Sequence, residues 1–258
     1  MTADGPWTAL RRFTDARIGL GRAGSALPIR EVLKFAMAHA QARDAVTKPL
    51  DWAPIEAVLA ALQLKSVRIE SAASDRDTYL RRPDLGRRLS SEARARLAAM
   101  AGPSPDLLIL LADGLSSTGV GANAGAVITA LLPLVRKSGW SLAPVLLASQ
   151  GRVALGDDAG EFIGARAVLV LIGERPGLSS PDSLGAYLTW APRAGRRDGE
   201  RNCISNIRRG GLSAEEAAFK AHWLLREAFR RQLTGVSLKD ESGRYLEGSE
   251  GVHALAKD

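Results

Sequence analysis

The chain has 258 residues, 46 % of them apolar and 24 % charged, with 35 basic against 28 acidic side chains and a formal net charge of +7. Such a composition belongs to a folded globular chain and excludes a disordered, collagenous or disulfide-stapled one. A single cysteine, Cys203, has no internal partner, and three scattered histidines leave little material for a zinc site.

The first hundred residues read as mostly helical. Pro28 opens a helical pattern over Ile29–Val46, and a second runs from Pro54 to Leu64. Leu64–Ile69 alternates and suits either a strand or an extended linker. Charge and turn residues fill Asp75–Arg88, and Ser90 or Ser91 caps an expected helix over Glu92–Met100. Gly102-Pro103-Ser104-Pro105 then marks a boundary. Beyond it, the apolar stretches Asp106–Ala112, Ser141–Ala148 and Ala167–Ile172 predict buried strands, and Ala186–Trp190 is a fourth candidate. Helical patterns over Ala122–Lys137, within Ala154–Gly164 and over Ser213–Leu233 separate or follow them. Buried strands alternating with helices predict an α/β fold with a mainly parallel sheet. The expected organisation is a helical region over 1–102, the sheet domain over 103–238 and a polar tail over 239–258. The apolar runs Leu107–Ala112 and Ala167–Ile172 have six residues each, far short of the ~20 of a membrane span, so no bilayer crossing is expected. The start lacks the order of a secretory signal, and with one cysteine the expected compartment is the cytoplasm.

Three features could carry chemistry. After Asp113-Gly114, residues Gly119, Gly121 and Gly125 imitate a dinucleotide loop without its tight spacing, which leaves open a stand-alone nucleotide-binding enzyme. Gly173-Glu174-Arg175-Pro176-Gly177 follows a strand and presents Glu174 as an acceptor, a loop suited to a large ligand rimmed with N–H donors or to an ordinary turn. Cys203 lies in the polar segment Asn202–Asn206, with no histidine nearby in sequence. Arginine outnumbers lysine 28 to 7. Seven arginines fall within Arg76–Arg96 and six within Arg193–Arg209. These runs suit solvated faces, subunit contacts or a nucleic-acid-binding module. Only 13 aromatic residues are present, and none forms a stacking ladder among the arginines.

Several blocks, taken in order, resemble one family. They are Leu10–Ile18 with Gly21–Gly24, Tyr79–Leu89, Asp113–Ser116, Gly151–Val153, Gly173–Leu178 and Cys203–Ile207. Together they are similar to the small subunit of ethanolamine ammonia-lyase over roughly residues 9 to 236. The resemblance implies a non-autonomous subunit of an adenosylcobalamin-dependent carbon–nitrogen lyase, which converts ethanolamine to acetaldehyde and ammonia by a radical mechanism. It implies a helical N-terminal part and a Rossmann-like domain that closes over the corrin. It also implies a large barrel subunit, present in equal numbers, that binds most of the substrate and supplies the catalytic groups. Carried onto matching motifs, the cobalamin contacts are Val153, Glu174 and Cys203, with no catalytic residue and no direct cobalt ligand in this chain. No Asp-x-His-x-x-Gly surrounds His39, His222 or His253, so cobalamin is expected base-on, keeping its own dimethylbenzimidazole. Neither a membrane nor a nucleic acid is expected as partner. Some family members enter a bacterial microcompartment by way of a long N-terminal extension, whereas here the likeness begins within ten residues of the start.

Overall fold

A computed structural model describes residues 6–100 and 102–243. In it, six strands form one sheet: β1 (Ser66–Glu70), β2 (Leu107–Ala112), β3 (Val145–Ser149), β4 (Ala167–Gly173), β5 (Leu184–Trp190) and β6 (Asn202–Ile207). The spatial order is β1-β3-β2-β4-β5-β6. The first three pairings are parallel, and β4–β5 and β5–β6 are antiparallel. Eight helices accompany the sheet among the described residues: α1 (Pro6–Arg11), α2 (Ile29–Thr47), α3 (Ala53–Ala61), α4 (Arg76–Arg81), α5 (Ser91–Ala98), α6 (Ser117–Lys137), α7 (Leu155–Ile163) and α8 (Ala214–Arg231).

The expected strands at 106–112, 141–148, 167–172 and 186–190 are all present, and the ambiguous alternating segment is strand β1. Every residue of β2 and β4 is buried, as an apolar run with helices on both faces requires. On one face, Ile55 and Leu59 of α3, Val120, Ile128 and Leu131 of α6, and Ala221 and Leu225 of α8 close over the sheet. On the other, Ala93 and Leu97 of α5 and Leu155 and Ala159 of α7 do so. That second cover stops at β4: α7 packs there, while α6 and α8 reach β5 on the opposite face.

Because β1 pairs with β3, one sheet takes strands from both sides of the boundary expected near residue 102. Residues just past 239 are also fixed. Lys220 Nζ reaches Asp240 at 3.2 Å and Ser242 is fully buried, while residues 244–258 of the expected tail, His253 among them, lie outside the described residues.

One expectation needs correction. The glycines read as an imitation nucleotide loop lie inside α6. Ser116 caps that helix, accepting from the Gly119 amide at 2.9 Å, so it begins five residues before the pattern suggested. Gly119 lets α6 approach the backbone at Ser183, and Gly121 and Gly125 face Leu50 and Val58, so these glycines serve packing. Helix α6 as a whole is 21 residues long and apolar enough by length and composition to cross a membrane. Its apolar stripe is spent on the core, where Val120, Ala124, Val127, Ile128 and Leu131 are completely buried.

Candidate functional site at the carboxyl edge of the sheet

Parallel strands deliver their following loops to one edge, and in open α/β sheets ligands bind there. Here the edge is knit together by backbone contacts. The buried Asp113 carboxylate, directly after β2, accepts from the amides of Gln150 (3.0 Å) and Gly151 (3.2 Å) beyond β3. Burial pushes its carboxyl above the usual range, opposed by those amides and by Arg76. Leu115 N–H donates to the Gly173 carbonyl at 2.9 Å, and the Ser116 hydroxyl to the Pro181 carbonyl at 2.6 Å. Gly173 packs so tightly on Ser116 that a Cβ would overlap its carbonyl.

Tyr79 anchors the N-terminal segment to this edge. Its ring lies between two guanidinium groups, Arg152 at 4.1 Å and Arg76 at 4.6 Å from the centroid. Arg152 donates to the Tyr79 carbonyl at 2.9 Å and Arg76 to the Val46 carbonyl at 2.6 Å. Removal from water pushes the Tyr79 hydroxyl up to about 12.

Glu174 follows β4 directly and is half-buried. Its Oε2 accepts from the Ser183 hydroxyl at 2.5 Å and the Asn206 amide at 3.2 Å, which fixes the carboxylate between the start of β5 and the end of β6. No hydrogen bond reaches Oε1 among the described residues. Asn206 is in position because β6 bulges: Leu184 pairs with Ile207 and Ala186 with Ile204, so Ser205 and Asn206 together oppose Gly185. Asn206 takes φ of 60°, a left-handed conformation that asparagine tolerates better than most residues. Gly185 is required beside the carboxylate, since a Cβ there would sit 2.9 Å from Oε1 and 3.1 Å from the Tyr187 ring.

Cys203 lies on β6 opposite Tyr187 of β5, exposed on the sheet face that α7 leaves bare. Partial withdrawal from water pushes its thiol up from its ordinary value. The Tyr187 hydroxyl opposes that shift and the Glu174 charge adds to it. The Tyr187 hydroxyl is itself raised, first by burial and then by Cys203 and Glu174. Val153 lies in the loop between β3 and α7, partly buried, and packs on the same apolar cluster as Tyr187.

Two of the three expected contact residues, Glu174 and Cys203, thus flank Tyr187, while Val153 approaches the same face from the neighbouring loop. The sequence reading missed Tyr187, Ser183 and Asn206. The alternation along β5, with Leu184, Ala186 and Leu188 in the core, could have placed Tyr187 on the other face. His222 lies away from this site, on α8, where its Nε2 meets the Ser138 hydroxyl at 2.8 Å. His39 is exposed on α2. No cluster of metal-ligating side chains occurs among the described residues.

The arrangement is that of an α/β protein with an open sheet face, an acceptor at its edge and, among the described residues of the site, no nucleophile–base pair. Residues 4–239 match the sequence profile of the ethanolamine ammonia-lyase light chain (EutC). An ethanolamine ammonia-lyase small subunit of Xanthomonas campestris is 58 % identical over 253 residues, covering 97 % of this chain and 93 % of the relative. Those of Azotobacter vinelandii (54 % over 242 residues, 93 % and 90 % covered) and Rhodopseudomonas palustris (53 % over 247 residues, 96 % and 94 %) are similarly close. The chain belongs to the ethanolamine ammonia-lyase small-subunit family.

Proposed function

We propose that this chain is the cobalamin-contacting small subunit of an ethanolamine ammonia-lyase, converting ethanolamine to acetaldehyde and ammonia only together with a large subunit present in equal numbers. The observation that carries this reading is the match of residues 4–239 to the light-chain family, supported by the open face around Tyr187. When bound, adenosylcobalamin supplies the radical chemistry; the protein supplies orientation and exclusion of water. The residues fit such a group. Glu174 keeps Oε1 as an acceptor for a carboxamide N–H of the corrin rim. Val153 and Tyr187 offer apolar surface to the macrocycle, and Cys203 lies exposed between them and the edge. The large subunit would hold ethanolamine and the polar groups that act on it.

Base-on binding is supported by His222 on α8 being engaged with the hydroxyl of Ser138 at the end of α6, away from the Glu174 edge. An EPR spectrum of the cobalt(II) form showing a histidine nitrogen on cobalt would overturn it. We read residues 103–238, with β1 added to their sheet, as a Rossmann-like unit and the helical remainder of 1–102 as the segment that meets the large subunit. The exposed apolar side chains of Ile29, Leu33 and Met37 on α2 support the latter assignment. A cytoplasmic location is proposed on the cysteine count alone, with or without enclosure in a microcompartment.

The direct test is an acetaldehyde assay with the purified chain, a purified large subunit, ethanolamine and adenosylcobalamin, leaving out each in turn. Product only from the complete mixture supports the reading; no product from folded components refutes it.

A further inference from the structure

The two arginine-dense stretches, about a hundred residues apart in sequence, meet around one cavity. It has a volume of about 730 Å³ and lies between the turn at Leu85–Arg87, the start of α7 and the loop before β6. Arg87, Arg88 and Arg94 come from the first stretch, and Arg196, Arg197 and Arg201 from the second.

Their charges are not equivalent. Arg94 holds Asp158 with bonds of 2.6 and 2.8 Å. Arg201, almost fully buried, holds Asp157 and reaches Asp198 at 2.9 Å. Arg196 pairs with Glu200 at 2.5 Å. Asp84, the remaining carboxylate on the wall, is taken by Arg82 at 2.8 Å. Every carboxylate lining the cavity is therefore already paired. The guanidinium groups of Arg87, Arg88 and Arg197 make no hydrogen bond or close ion pair among the described residues; Arg88 only helps, from a distance, to lower the carboxyl of Asp84. Three unpaired planar cations around one hollow form a receptor for an oxyanion, and arginine's forked donors suit a phosphate.

The cavity adjoins the corrin-facing surface. Ala154 on its wall is the next residue after Val153, and Arg201 lies two residues before Cys203. A base-on cobalamin carries amidated arms around its ring and one fixed negative charge, the phosphodiester of its nucleotide loop. We propose that Arg87, Arg88 and Arg197 form the site for that phosphodiester; this assignment rests on the cobalamin reading above and extends it beyond Val153, Glu174 and Cys203. The site makes the small subunit a reader of the complete nucleotide-bearing cofactor rather than of the corrin ring alone.

The test compares two corrinoids on the assembled two-subunit complex, by spectroscopic titration rather than turnover: hydroxocobalamin, and cobinamide, which lacks the nucleotide loop and its phosphate. In the triple variant Arg87→Ala/Arg88→Ala/Arg197→Ala, hydroxocobalamin affinity should fall about ten- to a hundred-fold, as the loss of charge-assisted bonds implies, while cobinamide affinity stays within twofold. The unchanged cobinamide affinity also reports that the complex is intact. The triple lysine variant should recover part of the loss. Should the triple alanine variant fail to assemble, Arg87→Ala and Arg197→Ala alone, both at exposed positions, must show the same selective loss in smaller degree. Equal losses for both corrinoids, or none for either, overturn the phosphodiester site while leaving the cobalamin reading in place. A wild-type complex that binds neither corrinoid overturns both.

Discussion

Replacing Ser183 by alanine tests whether Glu174 is held rigidly before any ligand arrives. Ser183 is only 5 % exposed, and its hydroxyl donates to Glu174 Oε2 at 2.5 Å, a distance typical of a charge-assisted bond. Bonds to charged partners contribute about 1.5–3 kcal/mol, and half-exposure of the carboxylate moves the expected cost toward ~1–2 kcal/mol. Glu174→Ala leaves two donors unsatisfied, Ser183 Oγ and the Asn206 amide, and should cost about 2–3 kcal/mol. Once the carboxylate is gone, the serine hydroxyl has no charged partner left to lose. The double variant should therefore be destabilised by little more than Glu174→Ala alone, with a coupling of ~1–2 kcal/mol. Urea denaturation of the full chain, followed by tryptophan fluorescence in wild type, both single variants and the double, gives all four stabilities. Effects additive to within about 0.5 kcal/mol would show that the bond contributes nothing and that the carboxylate is not preset.

Other consequences can be checked in the same preparations. Gly119→Ala would drive a Cβ into the Ser183 carbonyl and should destabilise the chain by about 1–3 kcal/mol; wild-type stability would refute the close approach of α6. Cys203 is exposed, yet its thiol titrates above its ordinary value of 9.0, so its alkylation rate should still be rising at pH 9. A rate that levels off below pH 9 would contradict the environment given to Tyr187 and Glu174. Asp106 is held below its ordinary 3.8, first by the Ser141 amide and further by Arg166 and the Ser141 hydroxyl. A lowered carboxyl stabilises the fold fully above pH 3.8, and that contribution disappears as pH falls through the lowered value. The stability difference between wild type and Asp106→Asn should thus be level at pH 5–7 and shrink below pH 3.8; a difference unchanged at lower pH would refute the clamp.

The parts of the fold that follow simple periodicity were legible in the sequence. The apolar runs of β2 and β4 and the amphipathic α8 appear within a few residues of their expected limits, because burial on both faces or on one stripe writes itself into residue order. Strand β6 did not appear, for a specific reason. Its two core residues, Ile204 and Ile207, are three apart, since the bulge at Ser205–Asn206 inserts one extra residue and breaks the two-residue period. Glycine within α6 misled in the opposite way. A residue type that usually marks loops was selected here for close packing on Ser183. Of the candidate site, the Glu174 loop and the Cys203 segment stood out in the residues themselves, Val153 came from the family likeness alone, and the structure supplies the link between Glu174 and Cys203, Tyr187. The convergence of Arg87, Arg88 and Arg197 could not be read from spacing, because nothing local records that the Leu85–Arg87 turn docks beside the loop before β6.

The edge position of β1 has a consequence for how the chain is made. Its backbone partner within the sheet is β3, where Ser66 is matched by Val145, 79 residues later. At a synthesis rate of about 5–20 residues per second, β1 leaves the ribosome some 4–16 s before the strand it must join. During that interval Val67 and Ile69, with the open amides between them, have no sheet to enter. The N-terminal third of the nascent chain is thus the stretch most in need of chaperone cover, and slowing translation between residues 70 and 145 should lower the soluble yield rather than raise it.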